Sequence, residues 1–320
     1  MGKKNLKAQL NYAIQSCFKG NSRQSGGFGA SKHSDMAAGQ KNGKIYSWSS
    51  YHSRVDVACQ FAAYVREHHP EVREARQLTP EMAESFLLSK ASTCTTETLD
   101  CYRSNLASLG ENINRTYGSA HVDLKVGKVA GTTSNQETRC RAMTDTQIAA
   151  LRDSYKPGST GHTAVTLASV AGCRASEIVR LKPEHIEIKS SNYATVFIKG
   201  GKGNRDRTIQ IRDQQGIAQL ATIKVSARGG ERIVNCKVGS IQKSLNRHMS
   251  KLSGSNGGSM KSEYQHTGIH AIRKNFAQKE YDRHRENHTR QESLDYVSQQ
   301  LGHGAGRDLA TLQRYIANIY

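Results

Sequence analysis

Ala171-Gly172-Cys173-Arg174-Ala175-Ser176-Glu177-Ile178 is the stretch on which the reading of this chain turns. It sets a glycine between two segments of helical character, expected at 160–171 and 174–182, and so stands Arg174 at a loop-to-helix junction. A side chain there projects from a rigid position while the helix N-terminus faces an anion. Alone, an arginine that opens a helix is as readily a solvated cap or an ion-pair partner. The stretch gains meaning only from what surrounds it.

Upstream, Thr144-Asp145-Thr146-Gln147 forms a capping box ahead of Ile148 and Leu151 and predicts a helix over 144–154. Downstream, strands are expected at 193–199 and 206–212, the second beginning Asp-Arg-Thr-Ile-Gln-Ile. Between them Gly200-Gly201-Lys202-Gly203-Asn204 is turn chemistry for a β-hairpin. Ile241, Leu245, Met249 and Leu252 give another amphipathic helix, and Gly254–Gly258 a loop. Further helices are expected near 267–282, 290–301 and 307–318. The charged stretch from Lys279 to Glu292 is expected to extend a helix on the surface.

The N-terminal half reads differently. Residues 1–44 open with a short helix around Leu6–Phe18 and turn polar and Gly/Ser-rich from Gly20 to Gly43, a composition that predicts a flexible leader. Val55, Ala58, Phe61, Ala62 and Val65 recur at helical spacing over 50–68. Thr79-Pro80-Glu81 is a helix start followed by Met82, Phe86 and Leu87 on one face. Leu99, Tyr102, Leu106, Leu109 and Ile113 stripe a third helix. These make a helical domain over 45–117. Residues 118–142 show no clear periodicity and carry Lys125, Lys128, Arg139 and Arg141, so they read as a basic linker able to lie along a DNA backbone. A second domain fills 143–320. The fold class is mainly α with a small β-hairpin or sheet.

Composition bounds the partners. Among 320 residues, 46 Lys and Arg stand against 27 Asp and Glu, a formal charge of +19 spread along the chain, which suits a polyanion. No run approaches the ~18 consecutive apolar residues of a membrane span, and Met1-Gly2-Lys3-Lys4 lacks a signal-peptide core. The seven cysteines are scattered, with no C-x-x-C, as expected of reduced thiols in a cytoplasmic protein. His266 and His270, like His284 and His288, have i, i+4 spacing but no Cys or acidic partner at ligand spacing, so no metal is expected.

Three further pieces follow Arg174 in order. His270-Ala271-Ile272-Arg273 puts two donors at i, i+3 beside the core positions Ile269, Ile272 and Phe276. Leu301-Gly302-His303 ends a helix with a glycine that permits a sharp turn. Tyr315 stands one step off a stripe of Leu309, Leu312, Ile316 and Ile319, able to anchor its ring and present its hydroxyl. Breaking a phosphodiester without metal needs fixed donors for the transition-state charge, a nucleophile, and an acid for the leaving oxygen. Arginine supplies the first best, because its planar fork pairs bidentately with phosphate oxygens.

In this order the pieces resemble the tyrosine recombinase (phage integrase) family of site-specific recombinases, at motif level over roughly 144–320. The resemblance implies a helical (SAM-like) core-binding domain at 45–117 and a mixed α/β catalytic domain. It implies a catalytic set of Arg174, Lys202, His270, Arg273, His303 and Tyr315, with Glu177 supporting Arg174. Lys202 would deliver the proton to the leaving 5′-oxygen, with Lys199 as the fallback and a DNA contact. Tyr315 would attack phosphorus. Tyr320 is the competitor, but as the last residue of the sequence it is exposed to fraying and carries a carboxylate that opposes attack on phosphate. The implied partners are double-stranded DNA with inverted-repeat recombination sites and a homo-tetramer on two duplexes. No cofactor and no membrane are implied, and the protein would be cytoplasmic, nucleoid-associated when on DNA. Integration or excision of a mobile element is favoured over chromosome-dimer resolution. Tyr315 follows His303 by twelve residues, at the long end of the family's spacing. Five residues follow Tyr315 where many relatives carry a further docking helix, so subunit contacts are expected through the tyrosine helix or the N-terminal part.

Two other readings stay open. A type IB topoisomerase shares the chemistry and is separated by its failure to join strands between different duplexes. A non-catalytic basic DNA-binding regulator is opposed by the full set of six polar positions.

Overall fold

Helices with one apolar stripe each build the first of two units into which the chain divides, residues 1–134 and 135–320. The structure is a computed structural model and describes residues 5–19, 35, 37–39, 43–118, 121–133, 141–201, 206–265, 267–304, 306 and 309–320. In the first unit α1 (Leu6–Ser16), α2 (Trp48–His68), α3 (Pro80–Lys90) and α4 (Thr96–Tyr117) pack together. Their N-caps Asn5, Ser47, Thr79 and Thr95 each accept a backbone N–H. Phe61, Val65, Phe86, Leu87, Leu106 and Ile113 fill the core, each such side chain contributing roughly 1.5–3 kcal/mol on burial.

The opening helix forms as expected, with Leu6, Leu10, Ala13 and Ile14 buried in the core, while most of the Gly20–Gly43 stretch expected to be flexible lies outside the described residues. One expectation for this unit is corrected. The basic linker is, over 121–133, a strap on this unit. Val122, Leu124 and Val129 are buried, Asn114 Nδ2 donates to the Val122 carbonyl at 2.9 Å, and Thr132 bridges to Thr95. Alternating apolar positions sit among its charges, and the strap buries them while Lys125 and Lys128 stay exposed.

The second unit is wrapped around α6 (Thr160–Ala171), buried on nearly every side, which follows α5 (Asp145–Asp153). Then come α7 (Ala175–Ile178), an antiparallel sheet in the order β1 (Ile186–Ser190), β2 (Tyr193–Ile198), β3 (Arg207–Ile211), and α8 (Gln214–Ser226). Val196 pairs with Ile186 on one side and Ile209 on the other, so one sheet face is apolar. The chain continues through α9 (Val238–Met249), α10 (Met260–Tyr264), α11 (Gly268–Arg285), α12 (Arg290–Gln300) and α13 (Leu309–Leu312). The architecture is mainly α with one small sheet, as the sequence predicts.

The differences are local. The helix expected over 174–182 stops at Ile178, and Pro183 starts a 3-10 turn after it. The edge strand β1 and helix α8 were not foreseen. The helix expected at 307–318 reduces to α13, and Leu309 is exposed rather than buried. The charged stretch after Lys279 does extend α11, yet Glu280 and Tyr281 are buried rather than on the surface, Glu280 against Arg283 and Tyr296 of α12.

Candidate active site

Gly172 ends α6 with a φ of +54°, and a Cβ there would meet the ring of Phe276 at 2.4 Å. Only glycine serves both demands. The chain then turns so that Arg174 becomes the N-cap of α7. Its backbone N–H donates to Oε2 of Glu177 at 2.8 Å and its Nη1 to Oε1 at 2.8 Å. Glu177 is 2% exposed and receives a second, two-pronged partner: Arg207, from the start of β3, donates Nη1 to Oε1 at 2.8 Å and Nη2 to Oε2 at 2.9 Å. Nη1 of Arg273 stands 3.9 Å from the same carboxylate.

Packing of α11 on α6 carries Arg273 into this cluster, fully buried. Arg273 donates to the carbonyls of Gly172 and Leu301, and Nη2 of Arg174 donates to Leu301 O at 3.1 Å. Nε of Arg207 donates to Gln300 O at 2.9 Å. Gln300 and Leu301 close α12, where carbonyls lack helical partners and the helix dipole favours cations. Three guanidiniums thus satisfy one helix C-terminus and share one carboxylate. Nε of Arg273 is buried and has no hydrogen-bond partner among the described residues.

The ionisation follows. Burial alone would raise the Glu177 carboxyl, but hydrogen bonds and charge from Arg207, the Arg273 charge and the Arg174 backbone N–H hold it at about 2. Burial, with the charges of Arg174 and Arg207, pushes the Arg273 guanidinium down to about 9 against Glu177 and Tyr315, so it stays charged at neutral pH. Burial pushes the Cys173 thiol up to about 12, and this neighbour of Arg174 is no nucleophile at pH 7. Three positive groups against one negative leave the cluster with an excess an anion would complete.

Gly302, with a φ of +73°, turns the chain after α12. His303 follows, half-buried, its backbone N–H donating to Ser298 O at 2.9 Å. Tyr315 sits in a turn just beyond α13. Its ring lies 5.8 Å from Cζ of Arg273 and 5.0 Å from the ring of His303. Arg174, Glu177, Arg273, His303 and Tyr315 are therefore brought together from four stretches of sequence.

The other expected residues are placed less centrally. His270 is exposed on the first turn of α11, sharing a small hollow with Ala175, the residue after Arg174. Lys199 is exposed at the end of β2 and lines a hollow with Glu177, Arg180 and Lys182. Lys202 and Arg139 lie outside the described residues, as does His266. Arg141 is half engaged, its Nη1 3.5 Å from Glu263. The competing Tyr320 is committed elsewhere: its ring packs edge-on to Tyr281 at 5.7 Å, and its hydroxyl donates to Asp282 at 3.4 Å. Burial and that carboxylate raise its phenol, which opposes ionisation. Among the described residues no group of three or more His, Cys, Asp or Glu is placed to hold a metal ion, and no helix is long and apolar enough to cross a membrane.

Arg207 and Gln300 belong to the site without standing in any of the motifs named from the sequence. Arg207 shares a strand face with Ile209 and Ile211, both buried. A period of two places that arginine inward, and that was the available signal.

No family model and no curated protein matches the sequence. Solved structures do match in fold. XerH site-specific recombinase, in a post-cleavage complex with palindromic difH substrate, is 15% identical, with a TM-score of 0.59 over 97% of this chain and 90% of that one. A lambda integrase dimer bound to a COC′ core site is 15% identical, with a TM-score of 0.60 over 98% of this chain and 77% of that one. A lambda integrase tetramer bound to a Holliday junction is 13% identical, with a TM-score of 0.60 over 98% and 78%. The chain has the tyrosine recombinase fold.

Proposed function

We propose that this protein is a site-specific DNA recombinase that cuts and rejoins DNA through a 3′-phosphotyrosyl intermediate. The observation that supports it is the meeting of a phenol with a positively charged, buried arginine cluster: Tyr315 over Arg273, with Arg174 at the cluster's more accessible edge. The Tyr315 oxygen attacks a phosphorus and the bond to the 5′-oxygen breaks. Lys202, or Lys199 in its place, gives a proton to that oxygen, while Arg174 and Arg273 stabilise the added charge. His303, whose ring lies 5.0 Å from that of Tyr315, takes the phenol proton during attack and returns it when the phenol is released, while His270 hydrogen-bonds the phosphate. A 5′-hydroxyl from a partner duplex then attacks the phosphotyrosine and releases the phenol. Bond energy is kept throughout, so no ATP is consumed. Exposed Lys125 and Lys128 hold the DNA backbone. The neighbours are complexes with a palindromic difH substrate, a COC′ core site and, as a tetramer, a Holliday junction, which supports inverted-repeat sites and four copies on two duplexes; integration or excision of a mobile element is the setting we favour.

The test is a nicked suicide duplex carrying candidate inverted repeats sought in the DNA that flanks the gene. The protein should become covalently trapped, and Tyr315→Phe should abolish the adduct while DNA binding persists. An adduct that survives in Tyr315→Phe and disappears in Tyr320→Phe would overturn the assignment.

A further inference from the structure

Arg207 stands out as a buried cation to which the proposed reaction gives no step. Its side chain is 8% exposed, and it occupies both oxygens of Glu177, whereas the side chain of Arg174 reaches one. Glu177 has two jobs that conflict. It must fix Arg174 in place, yet a carboxylate beside Arg174 and Arg273 would offset the charge they offer a phosphate. A second cation clamped on the same carboxylate resolves the conflict.

We infer that Arg207 is a positioning residue of this site: it neutralises Glu177, so that Arg174 is oriented without losing its charge to the phosphate. The inference rests on the recombinase reading for its catalytic consequence. A purely structural reading, that Arg207 only pins β3 to the end of α12, is weak. The Gln210 backbone N–H donates to Gln300 Oε1 at 2.9 Å and makes that connection independently. The surroundings are also shaped to the guanidinium: a Cβ at Gly302 would lie 2.9 Å from Arg207 Cδ and 3.0 Å from its Nη1. The glycine of the Leu-Gly-His corner leaves room for this arginine. In this way the hairpin, the α12 corner and the first arginine are set by one ion pair.

The experiment is a double-mutant cycle on Arg207→Ala, Glu177→Gln and the double variant, with Arg207→Lys as a control that keeps charge without the two-pronged fork. Single-turnover cleavage of the nicked duplex and duplex affinity are measured for each, and near-ultraviolet circular dichroism checks the fold. Inorganic phosphate is titrated in parallel against the Nε–H resonance of Arg174. Arg207→Ala should cleave about 10²-fold more slowly at saturating duplex, with affinity nearly unchanged, and Arg207→Lys, which keeps the neutralising charge, should recover about tenfold of that loss. Adding Glu177→Gln to Arg207→Ala should recover about tenfold, because the uncompensated carboxylate is gone. Wild-type cleavage in Arg207→Ala, or a double variant slower than Arg207→Ala, overturns the inference. Should Arg207→Ala fail to fold, Arg207→Gln, neutral and of similar length, takes its place: wild-type cleavage overturns the inference, slow cleavage that Arg207→Lys partly restores supports it, and equally slow cleavage in both overturns it. If the wild-type protein forms no adduct, the recombinase reading falls and phosphate decides Arg207. Phosphate binding weakened about tenfold in Arg207→Ala and regained in the double variant supports the charge role; equal binding in wild type and Arg207→Ala refutes it.

Discussion

The arginine cluster and the tyrosine segment, neighbours within the second unit, are held in opposite ways. Arg174, Arg207 and Arg273 come from a helix cap, a strand and a long helix, and each donates at least two hydrogen bonds to Glu177 or to the carbonyls of Gly172, Gln300 and Leu301. Tyr315 hangs in a turn beyond a four-residue helix, half-buried, its ring resting on Arg273 and His303. The contrast matches two chemical demands of the proposed reaction. Donors that stabilise developing charge work best when fixed beforehand. A nucleophile that becomes bonded to phosphorus must travel with the DNA end it holds.

The contrast breaks most sharply at the fixed side. Arg273→Ala should slow cleavage about 10³-fold, since removing one such donor costs 10²–10³ elsewhere and this one also fills the space under Tyr315. Arg273→Lys should recover little, because an ammonium lacks the fork that spans two carbonyls. Single-turnover kinetics at saturating duplex read both.

Glu177 carries the next effect. Glu177→Ala strands three buried guanidiniums and should destabilise the second unit by about 3–5 kcal/mol in chemical denaturation. The pH dependence has a definite sign. Its carboxyl sits at about 2 in the folded protein, below the unfolded value of ~4.3. Its contribution, on the order of 3 kcal/mol, is present above roughly pH 4.5 and lost as pH falls toward 2. Urea titrations at pH 6 and pH 3 should show the loss, and Glu177→Gln should flatten it.

Smaller effects sharpen the comparison. Gly302→Ala places a Cβ against Arg207 in a left-handed backbone and should cost about 1–3 kcal/mol in a thermal melt while slowing cleavage. Tyr320→Phe, which removes one long, exposed hydrogen bond to Asp282, should change stability by no more than about 0.5 kcal/mol and leave the adduct yield unchanged.

What could be read without coordinates divides along the same line. Helix stripes such as Leu99–Ile113 and the capping box at Thr144 were legible because local periodicity and capping chemistry decide them. Arg174 and Arg273 were visible as motif positions, but their shared hold on Leu301 O was not, since it joins residues more than a hundred positions apart from Arg174. The strap at 121–133 was read as linker because charge masked Val122, Leu124 and Val129, whose burial depends on a groove that only the packed helices create. The tail after Leu312 was read as helix from its stripe. Its apolar residues are instead buried through a turn, Ile316 fully and Ile319 in part. Strand alternation turns the Arg207 side chain inward but does not name the carboxylate it meets.

The most direct measurement maps the covalent link. The trapped adduct is digested with trypsin and nuclease, and fragmentation mass spectrometry is applied to the tryptic peptide that begins at Tyr315 and contains both candidate phenols, Tyr315 and Tyr320. The account predicts a nucleotide 3′-phosphate on Tyr315. A nucleotide on Tyr320 would contradict it, as would a trapped complex whose modified atom lies outside this segment.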